Sequence, residues 1–516
     1  MLLKSVLTLL PIMWLIVALS VLKMPGHKAC LAALAIAVVL ALTLWHMPAL
    51  DCATSALEGF AAALWPIILV IIAAIYTYNL SVRTGAMDVI KRMLAGVSRD
   101  KRIIILLIGW CFGGFLEGMA GFGTAIAIPA SMLVVMGMEP VTACLVCMLA
   151  NAFPTAFGSV GIPTVTLANV TGLDPLPLSF LTVVQMLPFM ILVPFLMVIA
   201  GGGGVKALKG VTGLALAAGL SFVLPQLLVA KFLGPELAVI VGSVVSLTVM
   251  LGLVKLRSDK SVPAEYGMGA PSQSDDGPGK DMPALTACLP FILIFVFLLL
   301  TSKLVPSVNG FLAKFSSSFQ ISTAAGAGKT SFSWVNTPGV LIFVAAIIGG
   351  RVQRADGKLM WEVFTTTFKQ LSKTIITIMS VLAVAKIMTY SGMISDMADL
   401  FVTITKKFYP FFAPVIAAIG AFVTGSGTNT EVLLGRLQTE AARAIGASQF
   451  WLAAANSTGA GIGKIMSPQC IATAAAAVGL TGQDSKLLAA VLKWALLMLV
   501  LACLVVGLFQ SAVSAF

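Results

Sequence analysis

Charge is scarce in this chain. Only 10% of its 516 residues are Asp, Glu, Lys or Arg, against about 25% in ordinary soluble proteins. That is too little to clothe a globular domain in water. Histidine occurs twice, at His27 and His46, and neither sits in a cluster. With no Gly-x-Ser-x-Gly elbow and no grouped metal ligands, the chain lacks the parts of a membrane enzyme, and neither a catalytic residue nor a bound metal is expected. Acidic residues are the rarer sign, 20 against 32 basic, giving a net charge of +12. The Lys and Arg lie in the connections between apolar runs, where they set membrane orientation, so the excess implies no nucleic-acid partner.

Apolar residues fill the rest. They make up 59% of the chain, and runs of 18 or more recur, each long enough to span a bilayer as a helix. The fold class expected is an all-α polytopic membrane protein with about 12 to 14 spans and the lipid bilayer as its first partner. Most of the eight cysteines, Cys144-x-x-Cys147 included, lie inside these runs and read as small packing residues. The run from Val6 to Leu22 has no small-residue cleavage site after it and reads as a retained helix. Further spans are expected near 28–45, 58–81, 103–118, 176–200, 207–230, 234–254, 284–301, 337–350, 371–392, 410–423 and 487–510, with a short amphipathic helix at Ala86 to Leu94. Residues 257–283 read as a mobile polar loop and 303–333 as an extramembrane loop.

One pattern occurs twice. Asn151 is followed after seven residues by Gly158 and after five more by Pro163; Asn456, Gly463 and Pro468 repeat both spacings. A glycine-rich stretch precedes each by about thirty residues: Gly121-Phe122-Gly123-Thr124 and Gly425-Ser426-Gly427-Thr428. Gly172-Leu173 and Gly479-Leu480 follow. The halves match at an offset of 304 to 307 residues, as in carriers with internal repeats. The expected organisation is a first repeat over 1–200, linking helices and a polar loop over 201–283, and a second repeat over 284–516. Residues 46–64 carry no Lys or Arg, yet their counterpart 351–373 carries five; the basic stretch 83–102 carries six, and its counterpart 394–407 two. Because Lys and Arg favour the cytoplasmic side, matched loops fall on opposite sides, and the repeats are inverted.

Gly, Pro, Ser, Thr and Asn collect in 118–124, 154–163, 424–430 and 457–469. Gly and Pro interrupt helices, and a break at membrane depth survives only where protein or water satisfies its backbone. Broken or re-entrant half-helices meeting near the midplane would present N-termini suited to a carboxylate. The alternative is that the glycines serve only close helix packing. The candidate substrate-binding residues are Gly121, Phe122, Gly123, Thr124, Asn151, Gly425, Ser426, Gly427, Thr428, Asn429, Asn456, Ser457, Thr458, Lys464, Ser467 and Gln469. Lys464, far from any charged loop, is expected to face the interior and hold an anion; snorkelling or a structural ion pair is its alternative. Glu117 and Glu431 are the candidates for proton or cation coupling, with a structural salt bridge the alternative for Glu117. Lys386 is expected to pair with an acid of the other half, and Arg436, Glu440 and Arg443 with one another. A channel would need a continuous polar pore; polar residues gathered at two breaks point to a carrier.

The segments Gly113–Gly123 (GGFLEGMAGFG), Ala150–Pro163 (ANAFPTAFGSVGIP), Gly420–Gly425 (GAFVTG), Ala454–Thr458 (AANST), Gly463–Gln469 (GKIMSPQ) and Ala474–Gly482 resemble the bacterial L-lactate permease family. The resemblance covers most of the chain and is weakest at 201–335. It implies an inner-membrane proton symporter for a small 2-hydroxy monocarboxylate: L-lactate, with D-lactate or glycolate as alternates. No cofactor is implied beyond the coupling ion. Where relatives commonly have Gly-Ser-Asp-Thr-Ser-Ser-Asn, this chain has Gly425-Ser426-Gly427-Thr428-Asn429-Thr430-Glu431. The acid is absent at Gly427 and present at Glu431, which leaves sodium coupling, or a larger hydroxy or sulfonated acid as substrate, as the rival reading. Oligomeric state is not legible.

Overall fold

The computed structural model describes residues 2–22, 24–121, 123–257, 262–267, 282–302, 305–480 and 483–513. Phe122, most of the 257–283 loop, and positions 481 and 482 lie outside them. Among the described residues the chain is mostly helical, with one small sheet: Ser316–Phe319 pairs antiparallel with Thr330–Ser333 inside the loop expected at 303–333. Among the described residues, nine helices are long and apolar enough to cross a membrane, or ten if the bent pair Pro140–Asn151 and Pro154–Thr171 is one span. That is fewer than the 12 to 14 expected. Two expected spans are short apolar helices of 10–17 residues, Ala284–Leu300 and Pro338–Val352.

Two boundaries differ from expectation for one reason. Residues 46–64 and 351–373 are expected as matched connections, yet helices begin at Ala49 and Gly357. Asp356 caps the second by accepting from the Leu359 N–H at 2.7 Å. Its exposed first turns carry the charges, so hydropathy alone hides them. The helix Met393–Thr405, absent from the expected spans, has its polar face to blame as well. The amphipathic helix forms over Ala86–Ala95 and buries Ala86, Met87, Ile90 and Leu94 on one face.

Helices Leu69–Arg83 and Pro338–Val352 run parallel, since Gly339 meets Leu69 and Gly350 meets Leu80. Arg83 pairs with Glu362 at 2.9 Å, and Thr84 Oγ1 donates to Gln353 Oε1 at 2.8 Å. The basic stretches 83–102 and 351–358 therefore meet at one end of these helices. At the other end the small sheet and its loop pack on the helix Ala49–Ala62 and the kink after it: Ser55 and Ser322 share a hydrogen bond of 3.0 Å, and Trp65 Nε1 donates to the Ser333 carbonyl at 2.8 Å. Lys386 meets Glu58 at 2.6 Å, joining the helices of the two halves. Glu440 accepts from both Arg436 and Arg443.

The two Asn–Gly–Pro copies fold differently. In the first, Pro140–Asn151 gives way to a 3-10 turn, Pro154–Phe157, and then to Ser159, Val160 and Gly161, all with φ between +46° and +76°. The helix axis bends by 56°. In the second, where a broken segment was expected over 457–469, the helix Gln449–Met466 runs unbroken and stops only at Ser467. Gly459 and Gly463, one turn apart, let it lie on the carbonyls of Pro414 and Ala418 in the helix Tyr409–Thr424. Gly461, on another face, admits the Ala152 carbonyl of the first break. Glycine here serves close packing, and that packing joins the halves.

A methyl group at Gly461 would collide with the Ala152 carbonyl, whereas one at Gly213 meets open space. Gly461→Ala should lower stability by about 1–3 kcal/mol and Gly213→Ala should not lower it. The comparison is of thermal unfolding midpoints of the purified protein in detergent; equal midpoints would refute the packing role.

Candidate functional site

The site gathers at the first break. Glu117 lies on the helix Gly113–Met119, in the last turns before Gly121 and Gly123, both in the left-handed region. Its side chain is buried, 2% exposed. Asn151 Nδ2 donates to its Oε2 at 2.7 Å, Thr155 Oγ1 donates to its Oε1 at 2.8 Å, and Lys464 Nζ reaches the same Oε1 at 3.1 Å. Lys464 also donates to Thr155 Oγ1. Gly158 makes room for this cluster, since a Cβ there would sit 2.5 Å from Glu117 Oε1. The 3-10 turn at Pro154 swings Thr155 under Lys464, and Ser159 ties the turn to the Ala120 carbonyl at 2.8 Å.

The second break brings a helix end to the same place. Gly425, φ +65°, ends Tyr409–Thr424 against the Gln469 side chain. Ser426 caps the next helix, Gly427–Ile445, by accepting from the Asn429 N–H at 3.3 Å. The N–H groups of Gly427 and Thr428 precede any helical acceptor. A cavity of about 740 Å³ lies between the breaks. Glu117, Thr155, Ser159 and Lys464 are buried residues on its wall, as are Gly427, Thr428 and Asn429, while Pro468, Gln469, Lys373 and Asp484 are exposed ones. Lys464 and the free N–H groups make part of the wall attractive to an anion.

Among the candidates from sequence, Glu117, Gly123, Gly425, Ser426, Gly427, Thr428, Asn429, Lys464 and Gln469 border this cavity. Asn151 stands behind Glu117, and Gly121 is closed off by Ser159. Thr124 bonds back to the Gly121 carbonyl at 2.7 Å. Ser467 bonds the Lys464 carbonyl at 2.7 Å and caps Pro468–Ala477. Asn456, Ser457 and Thr458 do not line the cavity; Thr458 donates to Gln185 at 3.0 Å. Asn456 Nδ2 donates to Glu431 Oε2 at 2.7 Å, and Asn456 Oδ1 accepts from Gln438 at 3.4 Å. Each repeated Asn thus holds a buried carboxylate of its own half. Glu431 differs from Glu117 in having no ion pair among the described residues. The Ser457 hydroxyl faces it without completing a hydrogen bond. Thr155 and Ser159 are not among the candidates named from sequence; their place in the Pro–Gly segment 154–163 was the available signal.

Removing the Glu117 charge leaves Lys464 buried without a counter-charge. Glu117→Gln should cost about 3–5 kcal/mol of stability, and Glu117→Gln/Lys464→Met should recover much of the loss. A thermal-unfolding double-mutant cycle reads this coupling; additive losses would mean that the pair is not coupled.

A family model described as L-lactate permease matches residues 4–513. A Streptococcus iniae protein named L-lactate permease is 43% identical over 451 residues, covering 87% of this chain and 93% of the relative. A glycolate permease of Escherichia coli is 34% identical over 526 residues, covering 96% and 93%. Among solved structures, the Neisseria gonorrhoeae transporter MtrF, from a class titled antimetabolite efflux pumps, superposes with a TM-score of 0.51 at 13% identity, covering 93% of this chain and 95% of that one; the likeness concerns the fold alone. On the length and identity of these matches, this multi-pass membrane protein belongs to the L-lactate permease family.

Proposed function

We propose that the protein is a secondary active transporter of the bacterial plasma membrane that carries a small 2-hydroxy monocarboxylate with a proton. L-lactate is the first candidate substrate; D-lactate and glycolate are the alternates. The names of the relatives support the substrate class. The observation that carries the mechanism is the buried Glu117–Lys464 pair on the wall of a cavity shared by the two breaks.

An arriving carboxylate needs a cation, and Lys464 is the cation on the buried wall. Glu117 already occupies it. Two carboxylates around one buried ammonium leave a net negative charge out of water, which is costly. A proton on Glu117 removes that charge and frees Lys464 for the substrate. Anion and proton then enter together, and neither is stable in the site alone. Asn151 and Thr155 hold Glu117 in place through the exchange. Alternating access would move the bundle that bears the breaks past the remaining helices, and an inverted relation of the repeats, as expected from the loop charges, would suit such a motion.

Glu431 favours a second reading of the coupling. Among the described residues it is a buried carboxylate with no cationic partner, beside the unpartnered hydroxyl of Ser457. Such a carboxylate must be neutral or hold a cation, so sodium coupling, or carriage of a larger hydroxy or sulfonated acid, is the rival.

The test is counterflow in proteoliposomes loaded with L-lactate, with labelled L-lactate outside and sodium held out. An inward proton gradient should drive accumulation. Lys464→Ala should reduce uptake by about 30-fold or more, and Glu117→Gln should keep exchange while losing the response to the pH gradient. In a parallel run with an inward sodium gradient and no pH gradient, accumulation that appears only with sodium would favour Glu431 as the coupling site. Absence of counterflow from folded protein would rule lactate out.

A further inference from the structure

Among the described residues, four acidic or basic side chains border the cavity between the breaks: Glu117, Lys464, Lys373 and Asp484. The first two are buried and paired with each other. Lys373 and Asp484 are exposed. Charged groups without a close partner stay where water reaches them, so these two mark the mouth. Lys373 lies in the middle of the 34-residue helix Gly357–Tyr390. Thr377 follows it by one turn, and Thr374 and Ile378 lie beside this pair; all four border the cavity. One face of the helix thus forms the wall, and Lys373 stands on that face.

The two charges at the mouth are not equivalent. Asp484 sits in the first turn of Asp484–Val513, where the positive end of the helix offsets part of its charge. Lys373 is far from either end of its helix and has no acidic partner among the described residues. Its backbone carbonyl accepts from Thr377 Oγ1 at 2.9 Å, which leaves the ammonium group free. A cavity of about 740 Å³ is narrower than the Debye length of about 30 Å at 0.01 M salt. Low-dielectric walls also focus the field of a charge along a cleft. An anion at Lys464 therefore lies within the field of Lys373.

We propose that Lys373 is the entry cation of the cavity, which draws the substrate carboxylate from water toward Lys464. The inference rests on the transport reading above. It divides the two lysines by task. Lys464, paired with Glu117, exchanges that partner for the substrate. Lys373, with no partner to give up, acts through space, and salt weakens its pull.

The experiment measures binding of labelled L-lactate to the full chain purified in detergent, at about 0.01 M and about 1 M salt. Relative to wild type, Lys373→Gln should weaken binding about threefold at low salt and leave it unchanged at high salt. Lys373→Arg should bind like wild type. Asp484→Asn should tighten low-salt binding, because it removes the opposing charge. Lys314→Gln removes an equal charge from an exposed position that does not border the cavity and should have no effect. The inference is overturned by an unchanged low-salt affinity in Lys373→Gln, by an equal loss at both salts, or by an equal loss in Lys314→Gln. Weaker binding in Asp484→Asn would also overturn it, since Lys373 and Asp484 would then act as a pair that closes the mouth. Each of these results leaves the transport reading standing. Folded wild-type protein that binds no L-lactate at either salt overturns both.

Discussion

The Glu117–Lys464 pair is the constraint on which the site depends. Taking a carboxylate and an ammonium out of water costs several kcal/mol per ion, and the structure offsets this with Thr155 between them and Asn151 on the far oxygen. Each partner needs its own local device. Gly158 must lack a side chain for Glu117 to fit, Pro154 must turn the chain for Thr155 to reach Lys464, and Gly461 must be bare for the helix Gln449–Met466 to come close enough. The broken backbone of one half and the intact helix of the other are two answers to the same demand.

That contrast shows how one spacing can serve two geometries. Asn, Gly and Pro recur at identical intervals, and both Asn residues hold a carboxylate at 2.7 Å. In the first half the carboxylate comes before the glycine-rich break, at Glu117, and has an ammonium partner. In the second it comes after the break, at Glu431, and has none among the described residues. The two Asn residues are matched, but the acids that they hold are not, and the two halves carry unlike electrostatics among the described residues.

Much of this was legible in the sequence. The membrane class, most of the helices, the breaks at Gly121–Gly123 and Gly425, and the pairing of Lys386 with an acid of the other half follow from apolar runs, glycine and the expense of intramembrane charge. The intact helix through Ser457 and Lys464 was not legible, because glycine reads alike whether it breaks a helix or lets a neighbour in close. The helices beginning at Ala49 and Gly357 were hidden because hydropathy records exposure to lipid, and their first turns face water or protein. The partner of Lys464 was beyond reach for a different reason: the pair is separated by 347 positions, and no local pattern encodes so distant a contact.

That separation has a bearing on how the protein is made. A ribosome adds about 5–20 residues per second, so roughly 20–70 seconds pass between the synthesis of Glu117 and that of Lys464. For that interval the first half must lodge an acid in the membrane with only its own neighbours for company. Asn151 and Thr155, which lie 34 and 38 residues downstream of Glu117, arrive within seconds and can chaperone the carboxyl group until its cation emerges. Of the side chains that hold the acid in the finished protein, these two are the first to be synthesised after it.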